Sequence, residues 1–146
     1  SPDERTWKQR MFDELGERLD QSRVHFTGRL PYDEMLAVLQ ISSAHVYFTY
    51  PFVLSWSLLE SMASGCAVIA SDTAPVRDAV QDGVNGRLVP FFEPETLAEA
   101  TADALLHPDK YQAMRKAARK TVLDRYDRTS QCLPAWVRLI NEQLAG

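Results

Sequence analysis

Leu58-Leu59-Glu60-Ser61-Met62-Ala63-Ser64-Gly65-Cys66-Ala67-Val68-Ile69-Ala70-Ser71, residues 58–71, reads as a helix, a stop and a buried strand in direct succession. Ser57 to Ser64 is read as a helix, and Gly65 supplies the residue type that most readily ends one. Ala67 to Ala70 is a continuous apolar run, closed by Ser71-Asp72. An unbroken apolar strand is the mark of a sheet covered on both faces, which is how parallel sheets are built.

Working outward, Ala44 to Tyr50 (AHVYFTY) is rich in aromatic and β-branched residues and predicts a strand, with Pro51 to Trp56 as the loop after it. On the other side, Pro75 to Gln81 predicts a short helix, Asp82-Gly83-Val84-Asn85-Gly86 a turn, and Arg87-Leu88-Val89 a short strand. Towards the N-terminus, Trp7, Met11, Phe12, Leu15 and Leu19 recur at helical spacing, giving one amphipathic helix over Glu4 to Leu19. Val24 to Gly28 reads as a buried strand, and Pro31 to Ile41 as a helix opened by proline. The remainder is helical, over Glu95 to Leu106, Pro108 to Tyr126 and Ser130 to Leu144, with Trp136, Val137, Leu139 and Ile140 expected to pack the last helix onto the domain. Strands alternating with helices imply an α/β fold, a Rossmann-like parallel sheet of about four strands flanked by helices. Such sheets take ligands at the carboxyl ends of their strands, here the loops after Gly28, Tyr50 and Ala70.

Composition narrows the function. The chain has 146 residues, enough for one domain, and 45% of them are apolar. Sixteen Lys and Arg against twenty Asp and Glu leave a net charge of −4, which argues against a nucleic-acid partner. No apolar run reaches the ~18 residues of a membrane span, and the charged first twenty residues do not resemble a signal peptide. Cys66 and Cys132 lack metal-site spacing, and Cys66, inside an apolar run, reads as a buried reduced thiol, consistent with a cytoplasmic setting. His25, His45 and His107 are isolated, none with a metal-like partner at short spacing, and His25 and His45, which flank strands, read as structural. Lys110, Arg115, Lys116, Arg119, Lys120, Arg125 and Arg128 make the helical tail basic, a solvated helix face or, alternatively, a peripheral contact with anionic lipid at the inner membrane face. The chain opens at Ser1-Pro2-Asp3-Glu4 without an initiator Met, which is read as the middle of a longer protein.

The densest chemistry lies between Tyr50 and Gly65. A strand end, a loop and a helix start place unpaired backbone N–H groups and a positive dipole end at the ligand edge, an arrangement that holds phosphate. Ser55 and Ser57 add hydroxyls, and Glu60, one turn in, can accept from the two hydroxyls of a ribose. The same spacing, Ser57-x-x-Glu60, also fits a capping box, in which Glu60 turns back to its own helix. Asp72, after a strand at the same edge, either contacts a sugar or caps the next helix or turn.

These segments resemble the donor half of family 4 retaining glycosyltransferases, enzymes with two Rossmann-like domains in the GT-B architecture. The resemblance runs through four blocks in order: His25-Phe26-Thr27-Gly28-Arg29-Leu30-Pro31, Ala44 to Thr49, Leu58 to Ser71, and Asp82 to Val89. It implies a nucleotide-diphosphate sugar as donor substrate, transferred with retention of configuration to an acceptor of unknown kind, whether glycan, lipid or small molecule. By that similarity Glu60 holds the donor ribose. The amides near Trp56, Ser57, Leu58 and Leu59 grip the diphosphate and sugar, and Gly28-Arg29-Leu30 lies beside the base. Because amides and cations stabilise such a leaving group, no metal and no catalytic nucleophile are expected among these residues.

The chain also departs from the family pattern. A first glutamate is expected eight positions before Glu60, where Phe52 stands, in a loop without glycine. The Arg and Lys that neutralise the diphosphate in the family lie upstream of this chain, as does the acceptor domain, so residues 1–146 are expected to form part of a donor domain. Arg29 and Arg77 are available cations but occupy other positions. The Phe52 departure keeps open a binding or assembly domain that has lost the chemistry; a more distant alternative is another two-domain enzyme such as a nucleotide-sugar epimerase or a phosphorylase.

Overall fold

The structure, a computed structural model, describes residues 5–50 and 53–145. The chain divides into two compact units, 1–31 and 32–146.

In the N-terminal unit, α1 spans Trp7–Leu15. Thr6 and Gln9 form a capping box at its start, and Gly16, at φ 53°, ends it. The single helix expected to run to Leu19 therefore stops one turn early and continues as short 3₁₀ turns, Gly16–Arg18 and Gln21–Arg23; the expected first residue, Glu4, lies outside the described residues. Val24 to Gly28 is not a strand. A strand needs a ladder partner for its N–H and C=O groups, and this segment pairs with no strand among the described residues. Phe26 packs locally instead, edge to face with Phe12 at 5.5 Å and beneath the Lys8 ammonium at 4.2 Å.

The second unit holds the sheet. β1 (Ala44–Tyr47), β2 (Ala67–Ser71) and β3 (Arg87–Val89) are parallel in the order β1-β2-β3. Ala44 pairs with Ala67, and Ile69 with Arg87. The described sheet thus has three strands instead of four. All of β2 is buried, as its apolar run requires. Alternation splits its side chains between two layers: Val68 and Ala70 face a core shared by α2 (Tyr32–Ile41), α3 (Trp56–Ala63), α4 (Ala74–Arg77) and α6 (Gln112–Arg125). Ala67 and Ile69 face α5 (Pro94–Leu106) on the other side.

Differences from the expected boundaries have local causes. The strand ends at Tyr47, because beyond it Thr49 turns both backbone groups to the Ser71 hydroxyl. Its N–H donates to Ser71 Oγ at 3.2 Å, and Ser71 Oγ donates to its carbonyl at 3.0 Å. The helix expected over Pro108 to Tyr126 opens as a 3₁₀ turn, Pro108–Tyr111. The helix expected from Ser130 is a π turn, Arg128–Cys132, followed by α7 (Leu133–Leu144). Contrary to expectation, Trp136, Val137, Leu139 and Ile140 are exposed on α7. Cys66 is buried and unbridged, its thiol directed at the Leu39 carbonyl, and burial raises its pKa.

Arg115 Nε donates to the Gly65 carbonyl at 2.6 Å and Arg119 donates to Ala63, so two cations of α6 cap the negative end of α3. The turn after α4 is close-packed. A Cβ on Gly86 would meet Val80 Cγ1 at 2.7 Å and the Val68 carbonyl at 3.4 Å. Val80 is β-branched and buried, so it cannot swing clear. Gly86→Ala is expected to cost about 1–3 kcal/mol by overpacking, measured by urea unfolding.

Asp103 at the end of α5 accepts from Lys110 Nζ at 2.6 Å and the Tyr111 hydroxyl at 2.7 Å, with His107 Nδ1 at 3.0 Å. Lys110 and Tyr111 hold its carboxyl down at about 2, while burial and the Asp103 bond push the Tyr111 phenol up to about 12. The pH dependence follows from the signs. The neutral phenol's contribution is complete below the ordinary tyrosine value of about 10 and is lost as pH rises through about 12. The carboxylate's contribution is complete above about 4 and fades as pH falls towards about 2. Alkaline difference spectroscopy is expected to show a phenol ionising at about 12 that Tyr111→Phe removes.

Candidate functional site

The site is built where β1 ends and α3 begins. Ser55 is the N-cap of α3, extended at φ −81° and ψ 144°, and its hydroxyl accepts from the Ser57 N–H at 3.3 Å. The Ser55 N–H is itself anchored, donating to the Tyr47 hydroxyl at 3.1 Å. That bond ties the helix start to the end of β1, because Tyr47 is the last strand residue and is buried. The helix therefore starts one residue earlier than expected, at Trp56, and the Ser57-x-x-Glu60 capping box is not formed: Ser57 N–H is served by Ser55 and not by Glu60.

This leaves Glu60 outside the helix cap, half-buried one turn along the helix. Its neighbour is Tyr32, the first residue of α2. Hydrogen bonding to the Glu60 carboxylate, and then its charge, raise the Tyr32 phenol above the ordinary tyrosine value. Sequence reasoning missed Tyr32, since nothing in a helix-opening Pro-Tyr pair signals a partner 28 positions on. Leu58 is buried and Leu59 half-buried, so both turn their side chains inward and can offer only backbone to a ligand, while the Trp56 ring is exposed. Ser55 and Ser57 share a hydroxyl–hydroxyl contact at 3.0 Å at the helix mouth.

The neighbouring strand end completes the edge. Asp72 N–H donates to the Val89 carbonyl at 2.8 Å, and its carboxylate takes a two-pronged pair from Arg77, Nε at 2.6 Å and Nη2 at 2.8 Å. Arg77 holds the Asp72 carboxyl below its usual range. Asp72 is thus neither a helix cap nor an unengaged sugar ligand. Thr73 takes the N-cap position of α4 without a side-chain bond, and its buried hydroxyl has no hydrogen-bond partner.

The structure thus brings Ser55 to Glu60 together on one helix end. Gly28, Arg29 and Leu30 belong to the N-terminal unit, where Gly28 adopts φ 65° in an open bend, a conformation that suits glycine. Phe52 lies outside the described residues. No group of three or more His, Cys, Asp and Glu able to hold a metal occurs among the described residues, and no helix among them is long and apolar enough to cross a membrane.

Comparison with known proteins bears on this arrangement. Residues 4–121 match the family model described as glycosyl transferases group 1. The phosphatidyl-myo-inositol mannosyltransferase of Mycobacterium tuberculosis H37Rv is 40% identical over 73 residues, covering 48% of this chain and 19% of that protein. The chain therefore aligns with about a fifth of the length of such relatives. Sucrose-phosphate synthase from Thermosynechococcus elongatus superposes with a TM-score of 0.79 at 23% identity, over 95% of this chain and 35% of that one. HepE of Anabaena, solved in complex with UDP and glucose, gives 0.72 at 22% identity, over 94% of this chain and 34% of that one. At these identities the structural likeness establishes the fold.

Proposed function

Because the chain belongs to the glycosyl transferases group 1 family, we propose that it forms the donor side of a glycosyltransferase, binding a nucleotide-diphosphate sugar at the N-terminus of α3 for transfer to an acceptor held elsewhere in the full-length protein. The observation that carries this reading is the helix mouth itself. The Ser55 hydroxyl takes the Ser57 amide and its carbonyl the Leu58 amide, while Glu60, half-buried, is not turned back into its own helix. In this reading the first turn from Trp56 to Leu59 meets the diphosphate, with the Ser57 and Leu58 amides shared with Ser55, and the helix dipole favours negative charge. Glu60 accepts from the ribose hydroxyls, with Tyr32 fixing its orientation. Hydrogen bonds to a charged acceptor are worth about 1.5–3 kcal/mol each, enough to set the pose of a nucleotide.

As the bond to the transferred sugar breaks, charge grows on the diphosphate, and donors already in place stabilise it without reorganising. This scheme needs no metal from the residues described and no protein nucleophile among them. The relative's printed activity and the UDP of the structural neighbour favour this reading over a domain that has lost its chemistry. Calorimetry on the full-length protein with UDP-glucose and GDP-mannose tests binding, and release of free sugar from whichever binds tests chemistry. Binding without turnover, with or without acceptor, would move the protein to the class of binding domains, as the Phe52 loop suggests.

A further inference from the structure

The segment that joins β1 to α3 has no ladder to hold it. Thr49 lies beyond the last strand residue and Ser55 before the first helical one, so their backbone groups depend on side chains for partners. Two hydroxyls at the strand ends supply them. The Ser71 hydroxyl, at the end of β2, serves both backbone groups of Thr49, at 3.2 Å and 3.0 Å. The Tyr47 hydroxyl, at the end of β1, accepts the Ser55 N–H at 3.1 Å. Both hydroxyls are carried by buried residues: Ser71 is fully buried, and Tyr47 belongs to the core that holds Leu58, Met62 and Val68. The segment is thus clamped at Thr49 and again at Ser55.

The second clamp bears on the helix mouth. Ser55 engages two of the amides that open α3, the Ser57 N–H through its hydroxyl and the Leu58 N–H through its carbonyl. The place of those amides is therefore set by Ser55, and that of Ser55 by the Tyr47 oxygen. An oxygen carried on a ring in a close-packed core has little room to move. We propose that Tyr47 is a positioning residue of the donor site: it touches no ligand, and its hydroxyl holds the start of α3 in the alignment that a diphosphate requires. This rests on the donor reading above. Donors aimed at an anion act by being in place beforehand, so a mouth free to shift loses affinity for the diphosphate while the sheet and helices stay as they are.

Tyr47→Phe removes the oxygen and keeps the ring. Tyr126→Phe is its control: the Tyr126 hydroxyl also bonds backbone, the Asp78 carbonyl at 3.2 Å, and its ring packs against the same core, but its bond holds the end of α4 and not the start of α3. The full-length proteins are titrated by NMR with UDP and with GDP, and then with the nucleoside that matches whichever binds more tightly. Tyr47→Phe is expected to weaken the diphosphate by about fivefold or more and to leave the nucleoside within about twofold, with faster amide hydrogen exchange at Ser55. Tyr126→Phe is expected to leave both affinities unchanged. A merely structural role would lower both affinities together or neither. Unchanged diphosphate affinity in Tyr47→Phe, equal losses for diphosphate and nucleoside, or equal losses in the two variants overturns the positioning role, and wild-type binding would then leave the donor reading standing. A wild-type protein that binds neither diphosphate overturns the donor reading itself, and the positioning role with it.

Discussion

Glu60→Ala is expected to weaken nucleotide-sugar binding by the full-length protein at least tenfold, about 1.4 kcal/mol, measured by calorimetry. The magnitude reflects the loss of the one charged acceptor for two hydroxyls at a helix end that otherwise offers backbone and the Ser55 and Ser57 hydroxyls. Glu60 is half-buried and bonds to no backbone group of its own helix start, so the substitution leaves the Ser55 cap in place. The variant carries its own control. The Tyr32 phenol is raised by Glu60, so its ionisation should fall back towards the ordinary tyrosine value of about 10. A shifted Tyr32 titration with unchanged affinity would show that the substitution reached the site and that the site does not hold the ribose.

Met62→Ala is expected to have the largest effect on stability, about 2–5 kcal/mol by urea unfolding. Met62 is fully buried on α3, in the core that joins α2, β2 and α6. The cost combines the lost transfer of the side chain from water with a cavity that fixed neighbours such as Leu58, Val68 and Val76 can close only in part. Domains of this size are stable by only about 5–15 kcal/mol, so the variant loses a large fraction. Because α3 carries the helix mouth, donor affinity should fall with it. An effect below about 1 kcal/mol would show that this layer is not packed as described.

The sequence was most legible where local signals agreed with the global fold. The unbroken apolar run of Ala67 to Ala70, with Gly65 before it, identified the central strand because such a strand is buried on both faces whatever surrounds it. The carboxyl edge of the sheet was legible for the same reason, since it derives from strand direction alone. Val24 to Gly28 was misread because its composition is that of a strand, but strand formation depends on a partner that composition does not reveal. The first helix was read too long because Leu19 keeps the helical period beyond Gly16, where a left-handed backbone breaks it. At the site, Glu60 was identified by resemblance, while its choice between capping and standing outside the cap rested on whether the helix began at Ser55 or Ser57, a difference below the resolution of propensity. Tyr32 and the Thr49–Ser71 clamp were illegible, because both are contacts between residues far apart in the chain.

That the amides opening α3 and the Glu60 carboxylate cradle the nucleotide is tested most directly by titrating UDP into the ¹⁵N-labelled full-length protein and tracking backbone amide shifts. The largest shifts are expected on Trp56, Ser57, Leu58 and Leu59, with Glu60 close behind. UDP binding that leaves those five amides unmoved, or shifts confined to other strand ends, would contradict the cradle.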